Sequence, residues 1–348
     1  MKDLLRKWKR FRRKFPIWVL KEKKSLSNSS IQEGLKTKIG KEEAGTRLDV
    51  FLASRFTYQS RSNWRKILEE GKILVQGKPA KPSYSVKEGD EILYLPGESF
   101  EPPVQTDFKI LYEDSRYIAV NKPGDLPIHS AGRYRKNNLT DLLEEDPRFE
   151  KIYTIHRLDR ETSGVVVFGK DSEAASKLAD LFSKRKINKT YISYVWGNFP
   201  TRLKAKGFLI SDPSSLIRKK RKFVFDDTFQ KLEIIEEDSE TCETNFRKIG
   251  EGTFQGMHFS KVYCFPKTGR LHQIRATLYS LGFPLLGDKI YGKDESVFIE
   301  FIEGKDPDLI SRLGMDRQAL HSSSLKFIHP FTGLKTKISA NLPQDFPK

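Results

Sequence analysis

Asp159 sits in the string Ile155-His156-Arg157-Leu158-Asp159-Arg160-Glu161-Thr162-Ser163-Gly164, flanked by the cations Arg157 and Arg160. Neighbouring positive charge lowers a carboxyl pKa and keeps the group ionised near neutrality. A carboxylate so held suits a nucleophile, or an electrostatic partner to an electron-poor carbon. The plain alternative is a solvated surface ion cluster. Two later segments bear on it. Tyr191 of Lys189-Thr190-Tyr191 reads by itself as a core aromatic, while Thr268-Gly269-Arg270-Leu271-His272-Gln273-Ile274-Arg275 holds an imidazole and a guanidinium. His272 beside Gln273 invites a metal reading. No second His or carboxylate stands at ligand spacing, so a core or hydrogen-bonding histidine is the better reading.

These groups need elements to position them. Val165-Val166-Val167-Phe168 is a short apolar, β-branched run that reads as a buried strand, with Ser163-Gly164 as turn residues before it. Asp159 is thus expected on a loop anchored by a core strand, a common place for a reactive group. Asp171 can cap a helix whose Ala174, Ala175, Leu178, Leu181 and Phe182 share one face, and alternation from Tyr191 to Val195 reads as a strand. Leu271, Ile274, Leu278 and Leu281 make the buried stripe of a helix that begins in 268–275 and ends at Gly282, so Arg275 projects off the core face near its start. Residues 109–112 and 117–120 read as strands about a Glu113-Asp114 turn. In the loop that follows, Lys122 and His129 can line a pocket, although exposed loop residues are the simpler reading. The basic run at 218–222 reads as a solvated hairpin tip or a phosphate contact.

Residues 41–96 read as a separate unit. Thr46 can cap a helix carrying Leu48, Phe51, Leu52 and Phe56, and Ser60 or Ser62 a second one with Trp64, Ile67 and Leu68, closed by Gly71. Strands at 73–75 and 91–95 follow, the first ending in a Gln76-Gly77 turn. Arg47, Arg61, Arg65 and Lys66 lie on or beside the two helices, off their apolar stripes, as a solvated face or a phosphate-binding one. Residues 97–107 read as a stiff Pro-containing linker, and 25–40 as a flexible Ser-rich one closing a basic arm over 1–40. Within the arm, Leu4, Trp8, Phe11 and Phe15 form one apolar stripe. An RNA-contacting arm, a membrane-surface helix and a disordered tail all fit it.

Charge narrows the partners. The 348 residues carry a formal net charge of +17, which favours a polyanion, and thirteen Lys/Arg against Asp3, Glu22 and Glu33 place +10 of it in residues 1–40. No apolar run reaches the length of a membrane span. The six residues from Phe15 to Leu20 are short for a secretory signal and broken by Pro16, while the Arg-rich, acid-poor start leaves a mitochondrial presequence open. Cys242 and Cys264, with no Cys-x-x-Cys, argue against a disulfide framework and a Cys-rich zinc site and fit a reducing cytoplasm.

The string from His156 to Gly164 resembles the signature His-Arg-Leu-Asp-x-x-Thr-Ser-Gly of the RluA-type RNA pseudouridine synthases. The resemblance implies that Asp159 is the catalytic residue and that Arg157 fills the space left by a flipped-out base. It implies that Tyr191 stacks on the target base and is one candidate, with Asp159, for moving the proton. The segment around Arg270 is similar to the family's third motif, which gives Ile274 the contact with the base and Arg275 the pairing with Asp159. Gly287-Asp288-Lys289-Ile290-Tyr291-Gly292 is a turn-rich segment of the family's kind, 293–314 looks like an insertion, and 317–321 and 327–333 resemble its closing strands. Residues 60–62, 70–78 and 87–90 resemble the S4-like module, with Gln76 where Asn is usual. In that module the helix pair grips structured RNA through phosphates, which would assign Arg47, Arg61, Arg65 and Lys66 to RNA.

The implied fold is α+β: a pseudouridine-synthase-like catalytic domain over 108–345 with a mixed, largely antiparallel sheet, and a small α/β S4-like domain over 41–96. The implied enzyme is a cytoplasmic, monomeric isomerase that needs no cofactor and no metal. Its partner would be structured RNA, with large-subunit ribosomal RNA ahead of tRNA, and non-catalytic RNA binding as the other alternative.

Overall fold

The structure, a computed structural model, describes residues 35–347 apart from 57–60, 96–100, 131–133, 213, 216, 218, 230–238, 293–295 and 303–307. The apolar stripe expected in residues 1–15, the Ser60 cap and Arg218 lie outside the described residues. The chain divides into two units between Ser99 and Phe100.

In the first unit β1 (Leu35–Lys38), β2 (Ile73–Val75), β3 (Lys78–Pro79) and β4 (Glu91–Tyr94) form an antiparallel sheet in the order β1-β4-β2-β3. The helices Leu48–Arg55 and Arg61–Glu69 bury Leu48, Phe51, Leu52, Trp64, Ile67 and Leu68 with Ile73 and Ile92 of the sheet. β1 falls in the stretch expected to be linker, and its pairing with β4 makes it part of this fold. Thr46 is not the helix cap. Arg47 holds that position and caps with no side-chain bond, its guanidinium being drawn to Asp49. Ser62 lies inside the second helix rather than before it. Gly71 closes that helix at φ +69°, where its N–H and that of Lys72 reach back to Leu68 and Ile67.

The second unit strings together β5 (Lys109–Glu113), β6 (Tyr117–Lys122), β7 (Tyr153–Thr154), β8 (Ser163–Gly169), β9 (Asn188–Trp196), β10 (Arg202–Ser211) and β11 (Arg221–Phe225). It continues with β12 (Glu240–Phe254), β13 (Met257–Pro266), β14 (Leu320–Ile328) and β15 (Lys335–Ser339). Among the described residues these make one sheet in the order β11-β10-β12-β13-β9-β14-β8-β6-β5, with β15 on β14 and β7 on β8. The β8–β14 pair is parallel and the others antiparallel, which is the mixed sheet expected of an α+β domain.

β8 is sealed along its whole length. Val165 and Val167 enter one apolar cluster and Val166 and Phe168 another, so successive residues fill opposite faces of the sheet. An unbroken apolar run is what a strand covered on both faces requires. Ser163-Gly164 is not a turn before this strand but its first two residues, in register with His321 and Ser322 of β14. Gly164 has φ +111°, and a Cβ there would stand 2.2 Å from the Ser322 carbonyl oxygen. Glycine is therefore what lets β14 approach.

Asp171 caps the helix Ser172–Ser183 by accepting the Ala174 N–H at 2.8 Å. Part of the expected linker belongs to this unit. Glu101 accepts the N–H groups of Lys136 and Asn137, each at 2.9 Å, and Val104 packs on the cluster of Leu126 and Leu139. The expected insertion holds two short helices, Ser296–Ile302 and Leu309–Leu313. The segment 327–333 is not a strand of its own: it is the end of β14 and the turn into β15, where Gly333 has φ +71°. Among the described residues no helix is long and apolar enough to cross a membrane.

Candidate active site

The loop between β7 and β8 is tied down along its length. His156 Nε2 accepts the Val167 N–H at 3.0 Å, and its ring stacks on Phe182. Burial, with the Lys189 charge second, pushes that imidazole down to about 3 and leaves it neutral, as an acceptor nitrogen must be. Lys122 is fully buried and donates to the carbonyls of Pro123, Leu126 and Arg160 at 2.8 to 2.9 Å. Arg317 donates to the Glu161 carbonyl at 3.0 Å, and Lys289 to the Glu161 carboxylate at 2.8 Å. A loop so restrained presents Asp159 in a fixed place, which a preorganised site needs.

Asp159 Oδ2 accepts Arg275 Nη1 at 2.7 Å and Gln318 Nε2 at 3.4 Å. Arg275 turns Nε and Nη2 to the two oxygens of Asp288, at 2.7 and 2.8 Å. Asp288 also accepts the N–H groups of Ile290 and Tyr291. The Asp288 side chain is 0% exposed and that of Arg275 6%, while Asp159 keeps 29% open. Burial pulls the Asp159 carboxyl upward, but Arg275, then His272, outweigh it and hold it at about 2. The cation responsible lies 116 residues along the chain, not beside Asp159. Of the flanking arginines expected to do this, Arg160 pairs with Asp125 at 2.6 Å and Glu161 at 3.1 Å. Arg157 is exposed at the rim and makes no hydrogen bond or ion pair among the described residues.

Asp159 opens into a cleft of about 1070 Å³ whose walls include Arg157, Tyr191, His272 and Arg275, with a recess of about 110 Å³ that reaches Ile274. Tyr191 comes from β9, where its neighbours across the sheet are Cys264 and Ser322. Burial pushes its phenol up to about 12, against a Ser322 hydrogen bond that lowers it. Lys189, two residues earlier on the same strand, also faces the cleft and donates to the Thr268 carbonyl at 2.8 Å. The structure thus gathers Arg157, Asp159, Tyr191, Ile274 and Arg275 at one place.

The helix expected from 268 onward is Gln273–Ser280. His272 breaks the helical path with φ 54°, so Leu271 is not on the buried stripe but 43% exposed. Gln273 is buried and fully bonded. Its Oε1 accepts from Thr268 and Arg270, and its Nε2 donates to Glu243 and Thr244. The basic run at 218–222 is neither a plain solvated tip nor a uniform phosphate contact, since Lys220 is buried with its ammonium 4.3 Å from the Tyr279 ring centre.

The four residues expected to bind RNA in the first unit are not alike. Arg47 and Arg61 converge on the fully buried Asp49 at 3.1 and 2.9 Å, whereas Arg65 and Lys66 are exposed. Asp288 and Gln318 do not stand out as site residues in the sequence. Asp288 stands in a segment read only as turns, and a buried ion pair leaves no trace in an apolar pattern.

Comparison with known proteins bears on this geometry. Residues 116–280 match the family described as RNA pseudouridylate synthase, and residues 46–92 match the S4 domain. The ribosomal large subunit pseudouridine synthase C of Buchnera aphidicola subsp. Acyrthosiphon pisum is 32% identical over 322 residues, covering 88% of this chain and 94% of the relative. The chain belongs to the RluA-type RNA pseudouridine synthases. A ribosomal large subunit pseudouridine synthase D of Xanthomonas campestris pv. campestris is 28% identical to this synthase over 313 residues, covering 88% of each chain. A solved structure described as human RNA pseudouridylate synthase domain containing 1 covers 70% of this synthase and is covered to 86%, at 23% identity and a TM-score of 0.52. That likeness carries the fold. In the synthase, Asp159, Tyr191, Ile274 and Arg275 all come from the second unit, where the family match lies.

Proposed function

We propose that this synthase isomerises uridines of large-subunit ribosomal RNA to pseudouridine in the cytoplasm, with Asp159 as the catalytic residue. The observation that carries the reading is the Asp159–Arg275 pair at the floor of an open cleft. In the reaction the N1–C1′ bond of a uridine breaks, the base turns, C5 bonds to C1′, the C5 proton leaves and N1 takes one up, so substrate and product are isomers. No electron is gained or lost overall. A carboxylate held ionised suits the electron-poor C1′, whether it bonds there or only balances charge. Arg275 orients it, Tyr191 and Ile274 hold the base, and Arg157 at the rim takes the place of a base flipped out of a folded RNA. The Tyr191 phenol at about 12 and the Asp159 carboxyl at about 2 bracket neutral pH, so the resting site holds a phenol and a carboxylate. The S4-like unit supplies affinity for structured RNA through phosphates. The reading rests also on the names of the relatives, several of which are called ribosomal large subunit pseudouridine synthases.

The test is to map pseudouridines across ribosomal RNA and tRNA in a strain lacking the protein, then restore it with the unaltered chain or Asp159→Asn. One or more large-subunit sites should vanish and return with the unaltered chain alone. Loss confined to tRNA would overturn the ribosomal assignment, and no lost site in either RNA would overturn the reaction.

A further inference from the structure

His272 lines both the cleft and its recess beside Asp159 and Arg275. Its left-handed backbone is uncommon for a residue with a Cβ. The fully bonded amide of Gln273 directly after it holds that turn in place. The imidazole is therefore aimed by the backbone instead of following the helix.

Hydrogen-bond accounting fixes which ring nitrogen carries the proton. His272 Nδ1 lies 3.0 Å from Tyr291 Oη, and the same oxygen accepts the Arg221 N–H at 2.9 Å. A phenol has one hydrogen to give. Among the described residues Nδ1 is the partner available to it, and a tautomer with hydrogen on Nδ1 would leave that buried hydroxyl hydrogen unused. Burial raises the Tyr291 pKa, which keeps the hydrogen on oxygen. Nδ1 is then the acceptor, and the hydrogen of the neutral ring sits on Nε2. Nε2 has no protein partner among the described residues and is not among the buried unbonded atoms, so it opens to the cleft. Burial, with Arg275 nearby, pushes the imidazole down to about 4. The cleft thus receives one fixed, uncharged N–H donor.

We infer that His272 gives its Nε2–H to a carbonyl oxygen of the target uracil and stabilises the charge the base takes up as it leaves C1′. The inference rests on the isomerase reading. When N1–C1′ breaks, its electron pair goes to the uracil ring and spreads onto O2 and O4. A preorganised donor at either oxygen gains strength as that charge develops. A neutral donor suits a carbonyl, and Lys189 and Lys219 on the same walls are better matched to phosphates. His272 would be a catalytic residue by contact with the base, and Tyr291 a positioning residue that acts through it.

The experiment pairs protein variants with altered RNA. His272→Gly and His272→Asn both tolerate the left-handed backbone, and Asn keeps a shorter amide donor. Large-subunit RNA is prepared with uridine, 2-thiouridine or 4-thiouridine at one site the unaltered synthase modifies, because sulfur accepts hydrogen bonds weakly. The unaltered synthase should lose roughly tenfold or more in single-turnover rate on one of the two thio substrates. His272→Gly should be roughly 10² slower on uridine and lose nothing further on that same thio substrate. Its RNA affinity should be unchanged. His272→Asn should recover part of the rate, and Tyr291→Phe should fall between the unaltered protein and His272→Gly. If the unaltered synthase and His272→Gly lose rate equally on both thio substrates, the inference fails while the isomerase reading stands. No turnover of the uridine RNA by the unaltered protein would sink both.

Discussion

Arg275 meets Asp159 Oδ2 at 2.7 Å with one edge of its guanidinium while another edge closes on both oxygens of Asp288. One cation serves two carboxylates, one sealed and one open to the cleft. The sealed pair is neutral, so the residual negative charge of the three groups belongs to Asp159, where substrate can reach it. A buried charge is tolerated when it is paired and bonded, and Asp288 meets both conditions.

That division predicts the behaviour of Asp159→Asn. Arg275 keeps Asp288, so the loss should be confined to the share of a carboxyl held at about 2 instead of 3.8, up to about 2 kcal/mol of stability near neutral pH, and RNA affinity should stay as it was. Pseudouridine formation should be abolished in single-turnover assays. Residual turnover within tenfold of the unaltered protein would sink the assignment of Asp159.

Arg275→Met should do more damage. It frees Asp159 and also leaves Asp288 buried without its cation, which costs about 3–5 kcal/mol of stability. The barrier to turnover should rise by more than ~2 kcal/mol. Arg275→Lys separates the effects by keeping the charge and losing the forked geometry; it should hold more stability than activity. Arg312→Met, in the insertion, is the control and should change neither by more than ~0.5 kcal/mol. Equal behaviour of Arg275→Met and Arg312→Met would refute the pairing.

Much of this arrangement was legible in the chain itself. The run at 165–168 announced β8, and Asp171 announced its helix cap, because apolar period and capping chemistry are local signals. Arg275 was named as the partner of Asp159 through resemblance to a family motif, while the residues alone pointed to Arg157 and Arg160. Coulomb attraction depends on distance in space, and a chain neighbour can turn away, as Arg160 does. The Gln273–Ser280 helix starts later than the sequence pattern predicts because His272 adopts a backbone that its side chain does not announce. Gly164 read as a turn because its demand comes from β14, over 150 residues later, pressing against it.

Gly164→Ala tests that close approach. Its Cβ would collide with the Ser322 backbone, and φ +111° strains any L side chain. A loss of more than ~3 kcal/mol in denaturant unfolding is expected. Gly71→Ala meets open space at φ +69°, so it should cost only about 1 kcal/mol. Equal losses would show that β14 can yield.

The pH response should separate stability from chemistry. His156, His272 and His321 lie near 3, 4 and 4, pushed down by burial from the ordinary 6.5. The unfolded chain takes up protons at these positions first as pH falls, so stability should decline from about pH 6.5 towards 4. Asp159 is depressed from 3.8 to about 2; its share is full above about 3.8 and is lost as pH falls through 2. The single-turnover rate on bound RNA should stay level from about pH 5 to 7, since Asp159 at about 2, His272 at about 4, Tyr191 at about 12 and the cleft-lining Lys189, pushed down by burial to about 8, all titrate outside that range. A rate that rises or falls tenfold within the range would show that another group controls the chemistry.

The last expectation concerns where RNA affinity resides. Eleven Lys/Arg against three acidic residues give residues 1–34 a net charge of +8, and a truncation there spares β1, which a cut at 40 would remove. Phosphate contacts release counterions, so binding of large-subunit RNA should weaken steeply with salt, and removing residues 1–34 should flatten that slope. Within the S4-like unit, Arg65→Ala and Lys66→Ala should each lower the slope by about 1 while leaving stability alone. Arg47→Ala and Arg61→Ala should act differently, because each leaves the buried Asp49 with one cation fewer; melting should drop in both. Removing residues 1–96 should raise KM for a long structured RNA and leave the single-turnover rate at saturating RNA nearly intact, since Asp159, Tyr191 and Arg275 all remain. Tethering adds effective concentration, not catalytic groups. An unchanged slope and KM after both truncations would mean that the basic start and the S4-like unit serve a different partner, and binding of residues 1–20 to anionic vesicles would become the reading to test.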